Sequence, residues 1–517
     1  MIEGNELVEI RPTGKTISSG KLILRDTGLT TINKEINVKI KEGEKEPKKV
    51  NSFNTILSIW NSMIGSSTVS LSYNVYYCGI IPAFLLSIIY GLICFYTCKI
   101  YVDFGSSESD FSITIEKYFK KKFGERISKI GKTIQILFSM LITLGAGLIY
   151  FIIISQNLYP ISCLVLNKLF GLEIDAKDLT PEFSRFSSLY LGIIICFVLF
   201  PLIIKKDIGF IVKLSSFGIY FISILIIFVL YTGISSIINT KFDFDYITNK
   251  LNSEKRHLKL FGENPALFAG TLSLAYFSHT TVLPVLKSNK NQENNIRDLS
   301  LGYYFACFTF SFSGILGYIG FSGKNFDIEF KDNWFLFFDY DNYFILLLRL
   351  LNVFQLITVF PIIIYVVRFH IFNYFYGSDY PGRTHIMIFG SSIIFICLII
   401  LYFCYNLLAK LIGIIGATTS LFLIYGFPPI IKMIDYYFKL KGDKIDDNIH
   451  DNDNDNEKKL TKNIESENDN KVADENKKNK FIVALYFVGQ SLIIIVGIAT
   501  VIFQFIEINF FNINLEE

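Results

Sequence analysis

Acidic side chains are missing from the interior of every long apolar run in this 517-residue chain; Asp103, Asp207, Asp298 and Asp435 all sit beside such runs. Proton-driven carriers generally need an ionisable group inside the membrane, and here His279 is the candidate for that part. A buried histidine with one polar face also reads as purely structural. No GxxxxGK[ST] loop, nucleophile elbow or metal-ligand helix occurs, so an ATP-driven pump or an intramembrane hydrolase has no residues to carry its chemistry. The chain does not read as an enzyme. The eight cysteines (78, 94, 98, 163, 196, 307, 397 and 404) fall in or beside apolar runs and lack metal-ligand spacing. Cys94 and Cys98, one helical turn apart, read as packing rather than as a zinc site. No N-x-[ST] sequon is present. The first 50 residues are polar and Lys-rich without a signal peptide, so the first apolar span is expected to serve as its own insertion signal.

What is abundant points to a membrane. Residues are 51% hydrophobic and 16% aromatic, with 51 Phe, and only 18% are charged. Mean hydropathy is +0.43. Near-continuous apolar runs of about 18 or more residues mark transmembrane helices. Eleven are expected, over roughly 53–72, 80–102, 132–156, 188–204, 210–236, 264–284, 299–321, 343–367, 386–405, 408–431 and 481–505. The fold class is therefore an all-α polytopic membrane protein embedded in a lipid bilayer, and no nucleic-acid partner is expected. Residues 1–51 form a polar tail, 52–505 the membrane domain, and 506–517 a short C-terminal tail. The Asn/Asp/Lys-rich insert at about 436–480 cannot bury a core and is expected to be disordered.

Lys and Arg set the orientation. With the N-terminus in the cytosol, the basic loops 116–129, 205–206, 287–298 and 432–480 all lie inside. The C-terminus then lies outside or in an organelle lumen. Residues 112–130 interleave Ile, Tyr and Phe with Lys, which suits either an amphipathic helix on the cytosolic leaflet or a solvated basic loop.

The first span is costly: "SIWNSMIGSSTVSLSYN" (58–74) holds Trp60, Asn61, Gly65 and several hydroxyls. A helix broken near the bilayer midplane frees backbone groups, which is tolerable where they line a cavity. Carriers use such breaks to hold an anionic group at half-helix N-termini and a cation at freed carbonyls. Gly65 supplies the backbone freedom, the donors near Gly65 and Ser66 suit a carboxylate, and Asn61 is an oxygen ligand for Na⁺. The bland alternative is a small-residue packing seam. The sixth span, "NPALFAGTLSLAYFSHTTVLPVL" (264–286), carries a second polar interruption with Thr271, Ser273 and Ala275 before it. Its freed carbonyls suit an amino group. Interruptions five spans apart are what a five-plus-five inverted repeat produces. In the eighth span, Thr358 precedes Pro361 and either completes a sodium site or bonds back to its own preceding turn.

Three stretches, "IWNSMIGSSTVSLSYNVYYCGI" (59–80), "LSLAYFSHTTVLPVLKSNKNQENNIRDLSLGY" (272–303) and "RLLNVFQLITVFPIIIYVVRFHIF" (349–372), carry a family likeness. The chain resembles the amino acid/auxin permease superfamily and, within it, the sodium-coupled neutral amino acid transporters, in particular their lysosomal, arginine-responsive branch. The resemblance implies a LeuT-like arrangement with broken helices 1 and 6 and amino-acid transport at the lysosomal or late-endosomal membrane. It also implies substrate contacts along Asn61, Ser62, Met63, Ile64, Gly65 and Ser66, and a metal site for Na⁺ at Asn61 and Thr358. Ser66 stands where the family has Thr, and Ile357 replaces a hydroxyl residue beside Thr358. In that branch the N-terminal tail reports to a cytosolic nutrient-signalling complex; residues 1–51 show no match to its GTPase-binding part. A second reading, from a different class, is an amino-acid-sensing receptor with little flux. A third is a proton-coupled permease of the plasma membrane.

Overall fold

The chain divides into two units, Met1–Lys49 and Val50–Glu517. The computed structural model describes residues 50–65, 67–105, 111–183, 185–205, 217–239, 242–245, 256–322, 330–340, 342–376, 381–441 and 469–513. The expected N-terminal tail up to residue 49, the core of the expected insert at 442–468 and Ser66 lie outside them.

The described residues are helical almost throughout. The first span is two helices, α1 (Ser52–Met63) and α2 (Ser67–Cys78), followed by α3 (Ile80–Gly105). Next come α4 (Phe111–Phe123), α5 (Glu125–Phe170), α6 (Ser188–Ile203) and α7 (Gly218–Asn239). A short parallel pair, β1 (Phe242–Asp245) and β2 (Arg256–Lys259), leads to the second broken span, α8 (Pro265–Ala275) and α9 (His279–Lys287). Then follow α10 (Asn295–Ser322), α11 (Tyr343–Tyr376), α12 (Arg383–Cys404), α13 (Leu408–Leu423), α14 (Phe427–Leu440) and α15 (Asp469–Ile513).

Among the described residues nine helical stretches are long and apolar enough to cross a membrane. The 16-residue α6 and the broken pair α1–α2 complete the eleven expected spans. Their outward faces carry large apolar side chains, Phe197 at 76% and Ile238 at 75% exposed among them, as lipid contact requires.

Local chemistry explains several boundaries. Asn51 Oδ1 caps α1 by accepting from the Asn54 N–H at 2.9 Å. The basic stretch 112–130 is not one helix: Gly124, at φ 88°, separates α4 from α5. α4 does have an apolar face, with Ile115 and Phe119 in a core shared with Tyr101, Phe427, Ile431 and Phe438. Its lysines reach aromatic rings of α14, Lys121 over Phe438 at 4.8 Å and Lys122 over Tyr437 at 3.1 Å. The 46-residue α5 outruns the expected 132–156 at both ends. Its N-terminal turns are held by α4, where Ser128 Oγ donates to the Glu116 carbonyl at 2.7 Å. Its far end stops at Gly171, whose N–H closes on the Asn167 carbonyl at 3.0 Å.

The packing places the two broken spans side by side. α8 lies against α2 and α13, α10 crosses α1, α2 and α3, and α5 runs along α11 and α13. The contact of α8 with α13 is backbone on backbone. A Cβ on Gly416 would lie 2.1 Å from the Gly270 carbonyl oxygen, and one on Gly270 would lie 2.5 Å from that of Gly413. Such approach is the usual work of small residues in membrane helices.

Candidate functional site

The first break follows from the residues of α1's last turn. Ile64 is extended (φ −83°, ψ 106°), and its N–H still closes on the Trp60 carbonyl at 3.1 Å. Later carbonyls of that turn lose the donors a continuing helix would bring. Trp60 anchors the segment from outside, its Nε1–H donating to Thr309 Oγ1 of α10 at 3.1 Å. Beyond the break Thr68 folds back, its hydroxyl donating to the Gly65 carbonyl at 2.8 Å. Tyr150 of α5 presses on the break: a Cβ on Gly65 would sit 2.6 Å from the Tyr150 hydroxyl oxygen.

Among the described residues of this turn, Asn61 holds a side-chain oxygen without a partner. Its Oδ1 is buried and accepts no hydrogen bond. An unpaired buried amide oxygen is costly unless a donor or a cation meets it. Met63 and Ile64 are buried, Gly65 is half-buried, and Ser62 is exposed with its hydroxyl bonded to the Ile59 carbonyl at 2.7 Å. Five of the six expected first-span residues thus lie at or beside the break; Ser66 falls outside the described residues.

The second break occupies Tyr276–Ser278. Ala275 is the last residue of α8, directly before it. Thr271 and Ser273 lie inside the helix, fully buried, and their hydroxyls are engaged. Thr271 Oγ1 accepts from Asn74 Nδ2 at 2.9 Å, while Ser273 Oγ meets the Ala269 carbonyl at 3.0 Å and the Tyr425 hydroxyl at 2.9 Å. The break itself is held by side chains of two other spans. Cys98 Sγ, Ser278 Oγ, Tyr303 Oη and the Tyr276 carbonyl form a chain with steps of 3.7, 3.0 and 3.2 Å. His279 opens α9, fully buried. The Thr97 hydroxyl donates to the Ile93 carbonyl at 3.0 Å and meets His279 Nε2 at 3.0 Å. Nδ1 on the other side of the ring is buried and has no hydrogen-bond partner among the described residues.

Thr358 is buried on α11, and its hydroxyl donates to the Gln355 carbonyl at 2.8 Å. That bond uses its proton and leaves oxygen lone pairs. Pro361 stays within α11 and removes the N–H that would otherwise reach the Ile357 carbonyl. No hydrogen bond joins Thr358 to Asn61 among the described residues, and α11 packs chiefly on α5, α6 and α7. No cluster of three His, Cys, Asp or Glu side chains suited to a metal occurs among the described residues. The oxygen donors on offer are amide, hydroxyl and carbonyl groups, a set that suits a hard monovalent cation.

Several residues of the site escape a reading of the sequence. Asn74 belongs to the polar first-span stretch, but nothing in its spacing says that it faces Thr271. Tyr150 and Tyr303 sit in ordinary aromatic company. Arg349 and Arg368 lie in or beside the eighth span and are both buried, so His279 is not the only ionisable side chain sheltered by the bundle. Arg368 Nη1 donates to the Ile203 and Lys205 carbonyls, both at 3.1 Å, and so closes the C-terminal end of α6.

Two interrupted spans, five apart and joined side chain to side chain within a mostly helical apolar bundle, define a LeuT-like membrane fold. The chain belongs to the transmembrane amino acid transporter protein family, whose model matches residues 48–444, and it is an amino-acid transporter. It is 25% identical over 428 residues to the sodium-coupled neutral amino acid transporter 9 homolog of Caenorhabditis elegans, covering 74% of this chain and 68% of that one. It is 24% identical over 450 residues to neutral amino acid transporter 9 of Danio rerio, covering 78% of each. Its fold is similar to that of Mhp1 in an inward-facing conformation, with TM-score 0.50 and 11% identity over 76% of this chain and 79% of that one.

Proposed function

We propose that this chain is a sodium-linked secondary active transporter of the endolysosomal membrane that moves neutral or arginine-type amino acids by alternating access. The observation that carries the sodium reading is the buried, unpartnered Asn61 Oδ1 beside the unwound end of α1. Na⁺ as the co-transported ion would be held by that oxygen and by freed carbonyls of the turn. Thr358 and the Ile357 carbonyl would supply a further pair of oxygens once α11 moves toward α1. Substrate carboxylate would meet the backbone donors at Gly65 and Ser66, and its amino group the carbonyls at the end of α8 near Ala275. Thr271 and Ser273 then shape the site from behind, through Asn74 and Tyr425. The name of the Caenorhabditis elegans relative includes sodium coupling and neutral amino acids. The lysosomal setting, with a cytosolic tail over 1–51 and a lumenal C-terminus, rests on the family resemblance and the distribution of Lys and Arg.

The test is uptake of labelled arginine, leucine and glutamine by the purified protein in liposomes, with an inward Na⁺ gradient or choline in its place. Sodium-dependent uptake that Asn61→Ala lowers at least tenfold supports the proposal. Uptake that follows a pH gradient and ignores sodium replaces the sodium site with a proton site, for which His279 is the buried group at hand. Binding without flux makes the chain a receptor. A tagged copy that stays at the plasma membrane refutes the endolysosomal placement.

A further inference from the structure

Arg349 is a fully buried cation that no carboxylate pairs with among the described residues. It lies in the second turn of α11 with no exposed surface. Nη2 donates to the Phe335 carbonyl at 2.6 Å, and the guanidinium lies over the Phe335 and Tyr340 rings at 5.5 and 5.3 Å. Nε and Nη1, both buried, have no hydrogen-bond acceptor. No carboxylate pairs with it among the described residues. Asp332, on the same connecting segment, is turned away to accept from the Leu408 N–H of α13 at 3.0 Å, and Asp339 is exposed.

Arg368, by contrast, is buried to close a helix end and meets two carbonyls. Arg349 has one carbonyl and two rings. A guanidinium cannot shed its proton to escape burial, so its charge must be met where it lies. Phe330, Trp334, Phe335 and Phe338 of the preceding segment are each at most 7% exposed. Ring faces recover only part of a desolvation cost of several kcal/mol per ion. Tyr340, half-buried beside the guanidinium, brings one more potential donor, its hydroxyl. The unpaired groups of Arg349 are thus both donors, two N–H positions, and the Tyr340 ring beside them carries an O–H.

We propose that Arg349 and Tyr340 form a binding site for a small monovalent anion, a halide or a carboxylate, at the head of α11 and apart from the two helix breaks. The anion completes the charge balance of α11 and the segment 330–340, so its occupancy stabilises their packing.

The experiment uses the purified full-length protein in detergent, without sodium or amino acid, at constant ionic strength. Potassium 2-(N-morpholino)ethanesulfonate, a bulky sulfonate, is replaced stepwise by potassium chloride, bromide or acetate, and the thermal unfolding midpoint is followed. The expected result is a saturating rise with halide or with acetate, which also tells the two anion classes apart. Tyr340→Phe should shift the half-effect concentration upward about tenfold, the loss expected for one hydrogen bond to a charged group. Arg349→Gln should abolish the response. If Arg349→Gln yields no folded protein, the Tyr340→Phe shift decides the matter. A wild type indifferent to all three anions, or a Tyr340→Phe titration identical to wild type, overturns the proposal and leaves one carbonyl and two rings to meet the charge. Because substrate and sodium are absent, the outcome is independent of the transport reading.

Discussion

The Asn74 amide donates to the Thr271 hydroxyl at 2.9 Å, both side chains are fully buried, and 197 positions of chain separate them. The bond ties the helix that leaves the first break to the helix that enters the second. Asn74 Oδ1 has no donor of its own, so the amide depends on this one partner.

Thr271→Val keeps the shape of the side chain and removes the acceptor. It should cost about 1–2 kcal/mol, at the upper end of hydrogen bonds in membrane bundles. The expected reading is a lower unfolding midpoint together with reduced uptake. Thr271→Ser, which keeps the hydroxyl, should restore both.

Gly65→Ala would push its Cβ to 2.6 Å from the Tyr150 hydroxyl oxygen, whereas the ring carbon behind it stands at 3.6 Å. The single substitution should reduce uptake about tenfold, equivalent to ~1.4 kcal/mol. Tyr150→Phe removes the oxygen that clashes and leaves ordinary contact. The double variant should therefore transport better than Gly65→Ala alone; uptake by the four proteins measured side by side decides this.

Gly416→Ala meets backbone, the Gly270 carbonyl oxygen at 2.1 Å, and backbone cannot step aside. Overpacking of this kind costs about 1–3 kcal/mol or more, so a marked loss of monodisperse protein is expected on size-exclusion chromatography. Gly489 of α15 has nothing within 4 Å of an added Cβ. Gly489→Ala should elute as wild type, which separates a packing clash from a general intolerance of side chains at glycine.

Burial pushes Asp332 up to about 6 from an ordinary 3.8, against the pull of the Leu408 and Ala409 N–H groups at the start of α13. The folded state then holds a proton that the unfolded state has lost between these values. Stability should fall as pH rises from about 4 to about 6 and stay lower above that. Solvent beside this half-buried group limits the effect to the order of 1 kcal/mol. Asp332→Asn should flatten that part of the midpoint-versus-pH curve; an unchanged slope would assign it to another group.

Much of the architecture is legible in the residues alone. The polar residues of 61–67 and 276–281 mark both breaks, because a membrane span tolerates unpaired backbone only where another part of the protein lines it. The partnerships are not legible. Thr271 and Ser273 read as substrate contacts through freed carbonyls of their span, and the sequence does not say that their hydroxyls are turned to Asn74 and Tyr425. Thr358 satisfies its proton within its own turn. Arg349 hides in an apolar run because one charge in about eighteen residues barely moves a hydropathy average.

Membrane class, the eleven spans and the two places where helix cannot continue all follow from the order of residues along the chain. Hydrocarbon cannot hydrogen-bond, so apolar length and local polarity translate directly into span and break. Which side chains meet at those breaks, that Tyr150 presses on Gly65, and that Arg349 Nε and Nη1 lack an acceptor are matters of the folded bundle. They depend on how each helix is rotated about its axis and which neighbour it lies against, and packing between spans distant in the chain sets both.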